Sequence, residues 1–287
     1  MVIGGGPGGY AAAFYGASAG LNVALVEKDT IGGTCLNRGC IPAKAFLETA
    51  AVNRHVSHAA DFGIATSASR IDFSVAQTRK QGIVQGLVKG LTGLTKSKKV
   101  KYLLGTGAMR TAKTVDVALA DGSSRTLEGR FVIIATGSTP RTIPGFAPGG
   151  PIMTSDEVLM LSSIPARIAV IGGGAIGCEF ASTFADLGAR VTILEGLPKI
   201  LPGLDEDVAN VVVKSFKKKN IDIRTGVSVT GHTPNASGGT TVSFGEGESI
   251  EVDAVVVSVG RKPYSDGLHL ANAGVAVSER GFVEVDG

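Results

Sequence analysis

Short apolar runs alternate with amphipathic stretches and glycine-rich turns along the 287-residue chain, which predicts strands joined by helices. Met1 to Ile3 reads as a strand, Tyr10 to Ala19 as an alanine-rich helix closed by Gly20, and Leu21 to Val26 as a second strand ending on Glu27. Apolar spacing predicts helices over Ala43 to His58 and Phe73 to Lys96, then short strands over Lys101 to Leu104 and Thr114 to Leu119, with a turn at Asp121-Gly122. Phe131 to Ala135 has the continuous apolar wording of a buried strand. It runs into Thr136-Gly137-Ser138, at the kind of strand end where an α/β sheet offers N–H groups and hydroxyls to a ligand. Pro144 to Pro151 reads as a linker. Beyond it come a strand over Arg167 to Ile171, a helix to Leu187 and a strand ending on Glu195. A helix from Asp205 to Lys219 and strands over Ile221 to Val229, Thr241 to Phe244 and Glu251 to Val259 follow.

The glycines give the pattern its chemistry. Gly4-Gly5-Gly6-Pro7-Gly8-Gly9 lies between the first strand and helix, in the context of a dinucleotide fingerprint. Gly4 makes the tight turn, Gly6 lets backbone approach a pyrophosphate, and Gly9 lets helix and strand pack closely. The phosphates sit at the helix N-terminus, and Glu27 accepts from ribose hydroxyls. The same spacing recurs: Gly172, Gly174, Gly177, Gly188 and Glu195 repeat Gly4, Gly6, Gly9, Gly20 and Glu27. One chain therefore carries two dinucleotide sites, and Glu195 would repel a 2′-phosphate, so the second ligand is expected to be NAD(H). The expected fold class is α/β with two Rossmann-like dinucleotide-binding domains and three-layer sheets with helices. Its expected limits are 1–145 for the first domain, 146–262 for the second, and 263–287 for a segment returning to the first.

Composition removes several classes. Net charge is +3, too small for a nucleic-acid footprint, and Lys217-Lys218-Lys219 solvates a helix face. No apolar run reaches the roughly 20 residues that span a bilayer, and no signal-peptide pattern is present. His55 and His58 lie three apart without a cysteine or carboxylate partner at zinc-type spacing, so no metal is expected. Asn235-Ala236-Ser237 matches a glycosylation acceptor that a reducing compartment would leave unused. The first strand is short enough to place its beginning, and any targeting peptide, upstream. Cytoplasm and mitochondrial matrix both fit.

Two of the 3 cysteines, Cys35 and Cys40, lie in Gly32-Gly33-Thr34-Cys35-Leu36-Asn37-Arg38-Gly39-Cys40-Ile41-Pro42-Ala43-Lys44. In an ideal helix, residues five apart are roughly 8–9 Å from each other, beyond a disulfide's reach. A bridge between them needs a distorted helix, for which Gly39 and Pro42 provide. A redox pair and two buried thiols both fit this spacing. Cys178, with no thiol near it in sequence, reads as a packed small side chain.

Gly32 to Lys44, taken with both glycine loops, Ala135-Thr136-Gly137 and Gly260-Arg261, resembles the pyridine nucleotide-disulfide oxidoreductases over nearly the whole chain. Leu36, Ile41 and the Ala-Phe-Leu that follows are most similar to members acting on a lipoyl dithiol. The resemblance implies a relay: a dithiol reduces a Cys35–Cys40 disulfide, the thiolate reduces FAD, and FAD passes hydride to NAD⁺. Cys35 would be the interchange thiol and Cys40 the thiol against the flavin. Lys44, one turn after Cys40, would face both, with Glu179 as its acidic partner near the nicotinamide. Implied FAD contacts are Gly4, Gly6, Pro7, Gly9, Glu27, Lys28, Thr34, Lys44, Gly107, Thr136, Gly137 and Ser138. Implied NAD contacts are Gly172, Gly174, Ile176, Gly177, Glu179, Glu195, Val229 and Gly260. The family also implies a homodimer, service to a 2-oxo acid dehydrogenase complex, and a His-Glu acid–base pair in a further domain. None of His55, His58, His232 and His269 has the required context for that pair, so the chain alone is expected to turn over poorly. Glutathione or mercuric reductase chemistry is the near alternative, and nucleotide binding without turnover the distant one.

Overall fold

The computed structural model describes residues 1–67, 70–236 and 238–286. Ser237 of the Asn-Ala-Ser triplet and Gly287 of the return segment lie outside the described residues. The chain begins with β1 (Val2–Ile3), α1 (Pro7–Ser18), β2 (Ala24–Glu27), α2 (Gly33–Arg38), α3 (Cys40–Ser57) and α4 (Phe73–Ser97). Next come β3 (Lys101–Met109), β4 (Thr114–Leu119), β5 (Ser124–Glu128), β6 (Ile133–Ile134) and β7 (Ser138–Pro140). Then follow β8 (Ile152–Met153), α5 (Ser155–Val158), β9 (Arg167–Ile171), α6 (Ala175–Asp186), β10 (Arg190–Glu195) and α7 (Glu206–Lys218). The last strands are β11 (Asp222–Thr225), β12 (Val229–Pro234), β13 (Thr240–Phe244), β14 (Glu248–Val252), β15 (Ala254–Val257) and β16 (Arg261–Pro263). They form two compact units: Met1–Ile41, Gly82–Thr139 and Arg261–Gly287 in one, Pro42–Gln81 and Pro140–Gly260 in the other.

The first unit is built on a six-stranded sheet in the order β5-β4-β3-β2-β1-β6. Strands β3, β2, β1 and β6 are parallel, and β4 and β5 continue β3 antiparallel. Because strand side chains alternate faces, Ile3 and Val26 join Met109, Val115, Val117, Leu268 and Leu270 in one core, while Val2 and Leu25 pack with Ala13 of α1 in another. The segment after β16 is thus held in this unit by Leu268 and Leu270. Helix α1 starts earlier than the apolar spacing predicts, because Pro7 is preorganised for its first turn. The buried strand expected over Phe131 to Ala135 shrinks to Ile133–Ile134 at the sheet edge. Phe131 and Ile133 are exposed there.

In the second unit the five-stranded sheet β11-β10-β9-β15-β8 is parallel throughout. Ile168 and Val170 of β9 point into a core with Phe180 and Phe184 of α6 and Phe216 of α7. Ala169 and Ile171 point the other way, into a core with Val242, Phe244 and Val252 from the antiparallel sheet β12-β13-β14. Phe46, Ala50, Phe73 and Ala76 belong to the first of these cores, which is why Pro42–Gln81 clusters here rather than with the residues before it. The stretch expected as a linker, Pro144 to Pro151, is anchored by Phe146, 1% exposed in the second core. The run Glu251 to Val259 divides at Asp253 into β14 and β15, which belong to different sheets. Asp253 accepts from Arg167 N–H at 2.9 Å and from its Nη2 at 2.7 Å, which holds its carboxyl below the usual carboxylate range.

Candidate functional site

Both glycine loops are shaped by contacts that leave no room for a side chain. Gly4 has φ +103°, and a Cβ on it would lie 2.2 Å from Ala135 O. One on Gly9 would lie 1.7 Å from Gly4 O. In the second unit, a Cβ on Gly172, φ +105°, would lie 2.6 Å from Ser258 O, and one on Gly177 would lie 2.0 Å from Gly172 O. Gly6 and Gly174 differ: among the described residues the nearest atom to a Cβ is 3.7 Å away at Gly6, and none lies within 4 Å at Gly174. These two glycines are the N-caps of α1 and α6, neither helix having a side-chain cap. Uncapped first-turn N–H groups, with open space at Gly174 and no more than an ordinary contact at Gly6, fit the phosphates of a dinucleotide. Pro7 and Ile176 belong to those first turns.

Glu27 and Glu195, 8% and 9% exposed, hold the loops in the same way. Glu27 accepts from Gly5 N–H at 2.6 Å and Asp29 N–H at 2.8 Å, each on a different oxygen. Glu195 accepts from Gly173 N–H at 2.5 Å and Leu197 N–H at 2.8 Å. A carboxylate oxygen has more than one acceptor site, so each acid clamps its loop and still has capacity for ribose hydroxyls.

Other expected contacts are engaged within the chain. Thr136 Oγ1 donates to Tyr264 O at 2.6 Å, and Gly137 O accepts from Tyr264 N–H at 2.9 Å. Ser138 Oγ accepts from Arg261 Nε at 2.8 Å. The two hydroxyls, expected at a ligand edge, also fasten the returning segment, each through one hydrogen bond that leaves it further capacity. Tyr264 also receives Lys28 Nζ over its ring at 3.6 Å from the centroid. Gly107 is buried in β3 among Ile3, Val26 and Val115. Val229 opens β12 and packs on the core of the second unit, and Gly260, φ +110°, accepts from Arg141 N–H at 3.0 Å through its carbonyl.

The cysteines lie on either side of a helix break. Helix α2 ends at Arg38, Gly39 takes φ −144° and ψ −109°, and α3 begins at Cys40. Cys35 is half-buried and Cys40 exposed. Helix α2, with Thr34 and Cys35 in its first turn, is built onto the first glycine loop: Gly32 N–H donates to Gly5 O at 2.8 Å. Gly33, φ +59°, packs so closely on Gly6 that a Cβ would stand 2.5 Å from its Cα. Asn37 Nδ2 secures the turn before α2, donating to Thr30 O, Ile31 O and Gly33 O. Arg38, between the cysteines, pairs with Asp29. The helix carrying Cys35 and the first glycine loop are therefore one assembly.

Lys44 Nζ meets Glu179 Oε1 at 2.5 Å. Glu179 lies beyond the first turn of α6, which holds no acid, so the helix dipole gives no reason for a carboxylate there. Both side chains are more than a third exposed, and such a pair contributes roughly 0–1 kcal/mol. Beside it Cys178 is buried, Sγ donating to Gly173 O at 3.4 Å. Burial, reinforced by Glu195 and Glu179, pushes its thiol up to about 11. Iodoacetamide at pH 8 is therefore expected to leave Cys178 unmodified in the folded protein and to label it after denaturation, as peptide mass spectrometry would read.

The family model for pyridine nucleotide-disulphide oxidoreductase matches residues 1–287. The chain is 40% identical over 287 residues to dihydrolipoyl dehydrogenase of Chlamydia pneumoniae, covering 100% of this chain and 61% of that protein. It is 39% identical over 289 residues to dihydrolipoyl dehydrogenase of Geobacillus stearothermophilus, with the same coverage of 100% and 61%. Among solved structures, LpdA of Mycobacterium tuberculosis superposes with TM-score 0.92 at 27% identity, over 99% of this chain and 63% of that one. The Cu(II) complex of the HOCl-induced flavoprotein disulfide reductase RclA of Escherichia coli gives TM-score 0.87 at 30% identity, over 99% and 61%. The chain thus spans about 61% of the length of the curated relatives it matches.

Proposed function

Because the chain belongs to the pyridine nucleotide-disulphide oxidoreductase family, we propose that it holds the FAD site, NAD site and redox cysteines of a dihydrolipoyl dehydrogenase. That enzyme oxidises the dithiol of a lipoyl group with NAD⁺. The observation that carries this reading is the packing of the Cys35 helix on the first glycine loop, through Gly32–Gly5 and Gly33–Gly6. In this reading a substrate thiolate attacks Cys35 Sγ, the bond to Cys40 breaks, and Cys40 leaves as thiolate. The substrate's second thiolate then displaces Cys35 from the mixed disulfide and closes the substrate's own disulfide. The substrate gives up two electrons and two protons. When bound, FAD supplies a two-electron acceptor between Cys40 and NAD⁺. Gly6 and Gly174 would admit the two pyrophosphates, Glu27 and Glu195 would accept from the ribose hydroxyls, and Lys44 with Glu179 would supply charge to the hydride transfer.

The intact protein is read as a homodimer serving a 2-oxo acid dehydrogenase complex in cytoplasm or mitochondrial matrix. Glu195 separates this reading from NADP-using disulfide reductases, since its clamped carboxylate leaves a 2′-phosphate beside negative charge. In the FAD-loaded protein, anaerobic stopped-flow is expected to find flavin bleaching by NADH on the order of 10² times more efficient than by NADPH. Equal efficiency, or a preference for NADPH, would overturn the NAD assignment.

A further inference from the structure

Helix α3, which begins at Cys40 and carries Lys44, is fixed to α6 at two places. One is the half-exposed Lys44–Glu179 pair; the other is Asp186, the last residue of α6. Asp186, its side chain 7% exposed, accepts from Arg54 Nη1 at 2.5 Å and from Lys219 Nζ at 2.7 Å. Its backbone carbonyl accepts from Asn53 Nδ2 at 2.7 Å. Lys219 also donates to Ser182 Oγ at 2.9 Å. A buried carboxylate at a helix C-terminus is disfavoured by the dipole, and the last turn of α6 has no base to offset it. Compensation comes from Arg54 on α3 and from Lys219 at the end of α7. Between the two ties, Phe46 and Ala50 share a core with Phe180 and Ala181. The core and the Lys44–Glu179 pair hold the first part of α3; the Asp186 node, roughly 15 Å further along α3 by the helical rise, holds its far end and so fixes its angle and register. The exposed pair is too weak to set this geometry, whereas the node is centred on a buried carboxylate that holds two cations at once, although Arg54 itself is 39% exposed.

We propose that Asp186 is a positioning residue that, through Arg54 and Asn53, sets where Lys44 meets Glu179. The inference rests on the dehydrogenase reading for its consequence but not for its geometry, and the test separates the two. Arg54→Met removes the charged half of the tie from α3, Asn53 Nδ2 staying on the Asp186 carbonyl, while Asp186 keeps Lys219, so this variant retains the compensation that folding requires; Asp186→Asn removes more of the node. The probe is acetic anhydride on the unliganded chain, with acetylation of Lys44 followed by mass spectrometry and Glu179→Gln as reference for a broken pair. Expected is a rise of about fivefold in Lys44 acetylation in Arg54→Met, matching the reference, with Lys96 and Lys113 unchanged. An unchanged Lys44 rate in folded Arg54→Met, or in Glu179→Gln, would overturn the proposal. In the FAD-loaded protein the same variant is expected to slow hydride transfer from NADH with little change in the NADH concentration needed for half-saturation. If Lys44 responds but hydride transfer is absent even in the parent protein, the positioning role stands and the dehydrogenase reading falls.

Discussion

Replacing Cys40 by serine is expected to lower the rate of dithiol oxidation by the FAD-loaded protein on the order of 10³-fold or more, the scale seen when a group in the bond-making sequence is removed. In the proposed exchange Cys40 leaves Cys35 as a thiolate, and a serine forms no disulfide to break. The loss is best read in a single turnover with a stoichiometric dithiol, counting thiols consumed, because that readout does not depend on repeated acid–base cycles. Cys178→Ser is the matched control. Its sulfur is buried against Gly173 O and has no part in the exchange, so the rate is expected to stay at the parent value. Equal rates for parent and Cys40→Ser would make the pair structural.

The second large effect is expected at the glycine loops. An added Cβ at Gly9 meets Gly4 O at 1.7 Å, and one at Gly177 meets Gly172 O at 2.0 Å, both backbone atoms that cannot rotate away. Accommodation means parting α1 from β1, or α6 from β9, at a cost of about 3 kcal/mol or more. Gly9→Ala is expected to lose FAD retention on gel filtration. Gly177→Ala is expected to keep FAD and lose NADH binding. Gly82, on α4, is the contrast: a Cβ there meets nothing within 4 Å, and Gly82→Ala should gain about 0.5–1 kcal/mol from helix propensity. Retained NADH affinity in Gly177→Ala would remove that loop from the nucleotide site.

What was legible in the chain was local. Two strand–helix–strand units, each closed by an acid, could be read because their glycines act on neighbours a few residues away and on one strand crossing. The break between Cys35 and Cys40 was legible for the same reason, Gly39 being the residue that allows it. Contacts between distant segments were not. Phe146 sits among prolines and glycines that look like a linker, yet it fills a core built from β9, β13 and β15. Thr136 and Ser138 carry hydroxyls suited to a ligand, and nothing near them in sequence shows that they also bond to Tyr264 and Arg261, far along the chain. Asp186 ends an ordinary helix in the sequence, and only the approach of Arg54 and Lys219 makes it a node. Phe131 failed in the other direction, since apolarity alone does not tell a covered strand from an edge.

The central claim is that the cysteine stretch and the first glycine loop make one redox site, and the absorption spectrum of the FAD-loaded protein during anaerobic titration with NADH tests it most directly. With Cys40 against the flavin, partial reduction is expected to raise a long-wavelength band from thiolate-to-flavin charge transfer that is absent in Cys40→Ser. Simple bleaching of the flavin in the parent protein, with no such band and no difference from Cys40→Ser, would contradict it.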